Sequence, residues 1–157
     1  MEKVKRNPAG LKKMVETFHM EVLHRGRDFD TAVVTISDVN RPALQLVGFY
    51  DYFDDKRLQI LGRGEMRYLD RMTESARTRV FNQLLSYPFP AMIVARGMDI
   101  PAELQAMAEK HDRTLLRSPD STVDVTFPDD MALKDWIASE TTATGAAWAR
   151  CFNRYCG

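Results

Sequence analysis

Apolar positions between residues 1 and 118 fall into short blocks that alternate between a helical and an extended spacing. Leu11, Met14, Val15 and Phe18 recur three and four apart and line one face of a helix. Asn7-Pro8 suits its start, because a proline in the first turn gives up no intrahelical bond. Met20–Val22 and Ala32–Ile36 are short, β-branched and alternating or wholly apolar, which predicts strands. Arg57–Leu61, closed by Gly62, predicts another. Thr73 reads as the N-cap of a helix to about Leu85, with Ala76, Val80, Phe81, Leu84 and Leu85 as its apolar stripe. Ser86-Tyr-Pro88-Phe-Pro90 must end that helix, since neither proline continues one. Ala91–Ala95 then predicts a buried strand, Pro101 opens a helix turning Leu104, Met107 and Ala108 inward, and Thr114–Arg117 is a final strand. Strands alternating with helices predict an α/β fold, a mainly parallel sheet flanked by helices. Ligands of such sheets sit beyond the carboxyl ends of the strands.

The pattern changes near Ser118. An acidic stretch follows, with Asp120, Asp124, Asp129, Asp130, Asp135 and Glu140 against Lys134, and then the small residues Thr141 to Ala147. This predicts one domain over residues 1–118 and a linker with a divergent segment over 119–157. Asp129–Ala138 has the spacing of a short helix through Met131, Leu133, Trp136 and Ile137.

Composition removes several function classes. The 157 residues carry 22 Lys plus Arg against 22 Asp plus Glu, so a general basic footprint for nucleic acid is missing. The longest wholly apolar run, Ala91–Ala95, is far too short to span a membrane. The charged start Met-Glu-Lys-Val-Lys-Arg-Asn-Pro lacks the apolar core of a secretory signal. Only Cys151 and Cys156 occur, which excludes a disulfide framework for the body of the fold and makes a reducing cytoplasm the expected setting.

The sequence contains no Gly-x-x-x-x-Gly-Lys-Ser/Thr cradle for nucleotide phosphates, and Gly62-Arg-Gly64 reads as a turn. Spacing offers no metal site, and nothing in the sequence supports a catalytic triad, which spacing alone does not exclude; His19 and His24 flank a strand, and His111 falls in a last helical turn, where a cation suits the dipole. The densest polar cluster is Ser37-Asp38-Val39-Asn40-Arg41-Pro42, directly after a predicted strand. Asp38 and Asn40 favour turns, Pro42 fixes the chain, and Arg41 brings a planar five-donor fork suited to phosphate or carboxylate. Two readings fit: contact with an anionic or sugar-phosphate ligand, or an Asx-type turn that satisfies its own backbone before a helix near Pro42. Arg96-Gly97 and Arg117 repeat the arrangement, so three arginines form one anion-binding rim if their strands are neighbours. Phe49-Tyr50-Asp51-Tyr52-Phe53 reads as core and edge packing around a tight connection, or as a stacking or oligomer surface.

The run Val34-Thr-Ile-Ser-Asp-Val-Asn-Arg-Pro-Ala-Leu-Gln-Leu-Val-Gly-Phe-Tyr-Asp-Tyr-Phe53 resembles the N-terminal domain of bacterial HPr kinase/phosphorylase. The resemblance continues through Arg57–Gly62, Leu84–Tyr87, Ile93–Gly97, Pro101–Leu104 and Leu115–Arg117, and covers roughly residues 10–122 in order. It implies an α/β domain similar to the first domain of the Mur ligases, in a homohexameric enzyme that phosphorylates and dephosphorylates a serine of HPr. It also implies that catalysis, ATP and magnesium belong to a separate C-terminal kinase domain, so no cofactor and no catalytic residue is expected here. Ala138-Ser-Glu-Thr141-Thr142-Ala143-Thr144-Gly145 resembles the entry to that domain, with Thr144 where the family has a histidine. The expectation is a non-catalytic regulatory or ligand-binding module with Asp38, Asn40, Arg41 and Arg96 as contacts, and HPr as a partner only where a kinase domain is present. The alternative is a fragment of an active HPr serine kinase/phosphorylase.

Overall fold

A computed structural model describes residues 9–34 and 39–119. The chain runs β1 (Ala9–Gly10), α1 (Leu11–Thr17), β2 (Glu21–His24), β3 (Val33–Val34), α2 (Ala43–Leu46) and β4 (Gln59–Leu61). It continues with α3 (Arg63–Asp70), α4 (Glu74–Leu84), β5 (Met92–Val94), α5 (Ala102–His111) and β6 (Leu115–Arg117). This is an α/β fold. The main sheet has the order β2-β6-β5-β4; β4, β5 and β6 are parallel, while β2 pairs antiparallel with β6. Asn40 adds a single parallel bridge to Gln59 on the outer side of β4.

The central strand β5 is apolar and buried throughout because both faces of the sheet are covered. On one face α1 contributes Leu11, Met14, Val15 and Phe18, packed with Ile60, Ile93 and Leu116. On the other, α2 to α5 bring Leu46, Met66, Leu69, Phe81, Leu84, Leu104 and Ala108 against Leu61, Met92, Val94 and Leu115. Successive residues of one strand thus feed opposite layers, as the two-residue period requires.

Most of the predicted elements form. Thr73 caps α4, its Oγ1 accepting from the Ala76 N–H at 3.2 Å, and α5 follows Pro101. Three elements differ from expectation. Val33–Val34 leaves the main sheet and pairs antiparallel with Ala9–Gly10, Ala9 opposite Val34, as a separate two-stranded ribbon. Gly62-Arg63-Gly64 is no turn: Gly62 is the extended N-cap of α3, and Gly64 lies inside that helix. The helix expected from Asn7-Pro8 starts later, because Ala9–Gly10 is extended and Gly10 is the N-cap of α1. The tail predictions, including the helix over Asp129–Ala138 and the position of Thr144, fall outside the described residues.

Candidate functional site

The Asn40-Arg41-Pro42 turn sits where the sheet edge meets α2 and α3. Asn40 docks on β4 through its backbone, donating to Leu58 O and accepting from the Ile60 N–H, each at 2.8 Å. Its side-chain amide donates to Gln59 Oε1 at 2.6 Å and Gln45 Oε1 at 3.3 Å. Gln59 is fully buried and passes its own amide hydrogen to Arg57 O at 3.0 Å; Gln45 does the same to Phe49 O at 3.3 Å. These buried polar groups hold hydrogen-bond partners, as burial demands.

Arg41 grips a carboxylate side-on. Its Nε donates to Glu65 Oε1 at 2.7 Å and its Nη2 to Oε2 at 2.6 Å. Glu65, in the first turn of α3, is only 5% exposed, whereas the Arg41 side chain is 48% exposed. Burial pushes the Glu65 carboxyl up, but the Arg41 hydrogen bond and the backbone N–H groups of Glu65 and Gly62 outweigh it and hold the group below its ordinary value. This bidentate geometry uses one edge of the guanidinium and leaves Nη1 without a partner among the described residues. Asp38 lies outside the described residues.

The rows that end at this edge are neighbours in the order Asn40, β4, β5, β6, and each is followed or closed by an arginine: Arg41, Arg63, Arg96 and Arg117. The outer two are ion-paired. Arg117 Nε donates to Glu21 Oε2 at 2.8 Å, and its Nη1 reaches Met98 O at 3.3 Å. The inner two, Arg63 and Arg96, are exposed and have no side-chain partner among the described residues. Arg96 adopts a left-handed φ of 59°, followed by Gly97 at 60°, in a turn pinned by Gly97 N–H to Ser118 O at 2.7 Å. A left-handed arginine is uncommon and marks a turn that reverses sharply after the strand.

Beside Arg63 lies an open cleft of about 500 Å³ lined by Arg63, Gly64, Met66, Arg67, Asp70 and Met98. Arg67 is one helical turn beyond Arg63, and it too is exposed without a partner among the described residues. Gly64 separates this cleft from Arg41: a Cβ placed there would lie 3.7 Å from Arg41 Nη2. Sequence reasoning named Arg41, Arg96 and Arg117 and missed Arg63 and Arg67, because the two flanking glycines disguised the start of α3. The available signal was Met66 and Leu69, three residues apart and both buried.

The aromatic run divides. Tyr50 stacks on Tyr87 with centroids 5.0 Å apart, and Phe53 meets both edge-on. The buried Tyr50 hydroxyl has no hydrogen-bond partner among the described residues, and its pKa is pushed up to about 12, first by burial and then by Tyr87. Phe49 and Tyr52 are exposed instead. Among the described residues no three His, Cys, Asp or Glu side chains converge as metal ligands, and no helix is long and apolar enough to cross a membrane.

The profile of the family described as HPr Serine kinase N terminus matches residues 10–127. The HPr kinase/phosphorylase of Clostridium perfringens (strain SM101 / Type A) is 35% identical over 135 residues, covering 86% of this chain and 43% of that protein. That of Peptoclostridium acidaminophilum is 34% identical over 131 residues, 83% of this chain and 42% of its own length. The chain thus spans less than half the length of the curated relatives it matches. A solved structure, the CBS and DRTGG domains of the regulatory region of a Clostridium perfringens pyrophosphatase complexed with the activator diadenosine tetraphosphate, aligns with a TM-score of 0.52. It shares 16% identity, covering 74% of this chain and 44% of that one, so the likeness is one of fold. The profile match and these relatives, together with the run from Val34 to Phe53, make this chain a member of the HPr kinase/phosphorylase family, corresponding to its N-terminal domain.

Proposed function

We propose that the chain is a non-catalytic, regulatory ligand-binding module of this family, acting in the cytoplasm. Its ligand is a phosphate-bearing small molecule held at the carboxyl ends of β4 and β5. The observation that carries this reading is the row of arginines after the Asn40 bridge and the neighbouring strands β4, β5 and β6, of which the outer two have carboxylate partners and the inner two, Arg63 and Arg96, have none among the described residues. Arginine forks suit phosphate oxygens in charge and geometry, and the carboxyl edge of an α/β sheet is where ligands sit. A cleft of about 500 Å³ beside Arg63 and Arg67 is in the range of small-molecule sites. Arg63 and Arg67 make the first contacts, Arg96 a second, and Arg41 offers Nη1 from the far side of Gly64. Asn40 holds the turn to the sheet, and Asp38 precedes it.

The pyrophosphatase regulatory region of similar fold was solved with diadenosine tetraphosphate, which makes that compound and inorganic pyrophosphate suitable probes. Calorimetric titration of the chain is expected to give saturable binding that weakens with salt. The double substitution Arg63→Ala with Arg67→Ala is expected to weaken it by about tenfold or more. Absence of binding by both probes, or indifference to that double substitution, overturns the reading. In this proposal ATP and magnesium serve a kinase domain and not this module, and HPr is a partner only alongside such a domain.

The second reading is favoured by the name that the relatives carry: a piece of an active serine kinase/phosphorylase. Phosphoryl transfer depends on positioning and charge neutralisation of the triphosphate. The purified 157-residue chain is expected to transfer no phosphate from ATP to HPr; transfer above background establishes the second reading instead.

A further inference from the structure

At the opposite end of the sheet, a pocket of about 290 Å³ opens where the chain enters β5 and β6. Pro88, Phe89 and Pro90 form one wall, Val33 and Ala32 another, and Asp28, Asp112, Arg113 and Thr114 supply the polar lining. The base is rigid. A Cβ at Gly26 would lie 2.6 Å from Thr114 N and 2.7 Å from Asp112 O, so the two loops touch backbone to backbone. The Gly26 N–H donates to Thr114 Oγ1 at 3.1 Å, and the Arg27 N–H to Asp112 O at 3.3 Å.

Two charges in this pocket, Arg113 and Asp28, have no direct ion pair among the described residues. Asp112 is engaged, with Oδ1 2.9 Å from His24 Nε2 and Oδ2 3.7 Å from Arg27 Nε. Arg113 is different. Its guanidinium carbon sits 5.6 Å from the Phe89 ring centroid and its Nε donates to Leu85 O at 3.4 Å, while Nη1 and Nη2 have no partner among the described residues. Burial, the dominant influence, lowers the Arg113 pKa, although Asp28 and Asp112 act to raise it; Arg27 lowers it further. Asp28 is exposed, and its carboxylate has no hydrogen bond or ion pair among the described residues. Its backbone carbonyl accepts from the Thr31 and Ala32 N–H groups, which fixes its place on the rim.

A half-buried cation and an exposed carboxylate, which act on each other but share no ion pair among the described residues, line one small pocket with an apolar wall. We infer that this pocket binds a small zwitterion with the chemistry of a free α-amino acid: its carboxylate on the Nη groups of Arg113, its ammonium on Asp28, and a short apolar substituent along Val33 and Pro88. This site lies at the amino ends of the strands and does not depend on the phosphate-ligand reading above.

The test is an amide chemical-shift titration of the full chain with L-valine, N-acetyl-L-valine and isobutylamine at neutral pH. L-Valine is expected to give saturable shifts at Phe89 and Thr114. The two analogues, each lacking one charge, are expected to bind at least about tenfold more weakly. Asp28→Asn is expected to weaken L-valine without affecting N-acetyl-L-valine, and Arg113→Gln to weaken both. Asp28 is exposed and its carboxylate makes no hydrogen bond or ion pair among the described residues, so its substitution decides the matter even if Arg113→Gln fails to fold. Absence of saturable shifts, equal binding of L-valine and its acetylated form, or no effect of Asp28→Asn overturns the proposal.

Discussion

Arg41 illustrates how one residue gives half its answer in sequence. Its fork and its place after a predicted strand were legible; the carboxylate that takes one edge of that fork, Glu65, is 24 positions away and belongs to a helix the pattern concealed. No local rule links the two. The pairing has a stability consequence: Arg41→Ala leaves a nearly buried carboxylate without its cation. Because Arg41 is itself half exposed and water enters its place, the expected cost is about 1–3 kcal/mol, below that of breaking a fully buried pair. Urea unfolding measures it, and an unchanged midpoint would refute it. The sign of the pH effect follows from the depressed Glu65 value. A carboxyl whose folded pKa is lowered contributes fully above the unfolded carboxylate value of about 4.3 and ceases to contribute as pH falls through the folded value. Stability is therefore expected to decline below about pH 4.3, and Glu65→Gln to flatten that decline in an acid series of unfolding curves.

Elements with a long apolar stripe or a strong cap were readable. α4 announced itself through Thr73 and Phe81-x-x-Leu84-Leu85, and β5 through five consecutive buried residues, Ala91 to Ala95. α3 was not, since glycine inside a helix costs about 1 kcal/mol and argues for a turn when seen alone. That cost is recoverable. Gly64 is helical, and an added methyl would meet only Arg41 Nη2, at an ordinary 3.7 Å. Gly64→Ala is expected to stabilise the chain by about 0.5–1 kcal/mol, seen as a raised thermal midpoint; a lowered one would mean that the Arg41–Glu65 pair had been disturbed. The assignment of β3 to its own ribbon was equally hidden, because alternation marks a strand and says nothing about its partner. The helices of the second layer are tied by Arg77. Its Nε and Nη2 hold Glu103 Oε1 at 3.1 and 2.9 Å, and its Nη1 donates to Met72 O at 2.6 Å. Arg77→Ala is expected to cost about 2–3 kcal/mol in a denaturant melt, since it removes the donor of a carboxylate and of two carbonyls, Met72 O and Leu69 O, at once.

Across the whole molecule, β5 and β6 are neighbours and carry Arg96 and Arg117 at one edge, whereas the strand predicted before Arg41 lies in the separate ribbon, and Arg41 reaches the sheet only through the Asn40 bridge to β4. The apolar surface on α2, the turn after it and α3 was only half anticipated. Leu44, Val47, Phe49, Tyr52 and Tyr68 are all exposed there, and clustered apolar exposure marks association surfaces. Sedimentation velocity is expected to detect concentration-dependent self-association, suppressed by Val47→Asp, a position already 60% exposed; a single slow boundary at every concentration contradicts this.

The placement of β6 has a bearing on biosynthesis. The sheet position between β2 and β5 is filled by the last of the described strands to leave the ribosome, and Glu21 waits for Arg117. Until then the tunnel emits a chain whose early strand has no neighbour to receive it. Translational pausing upstream of codon 115 would prolong that exposure, and closure waits until the strand has cleared the tunnel.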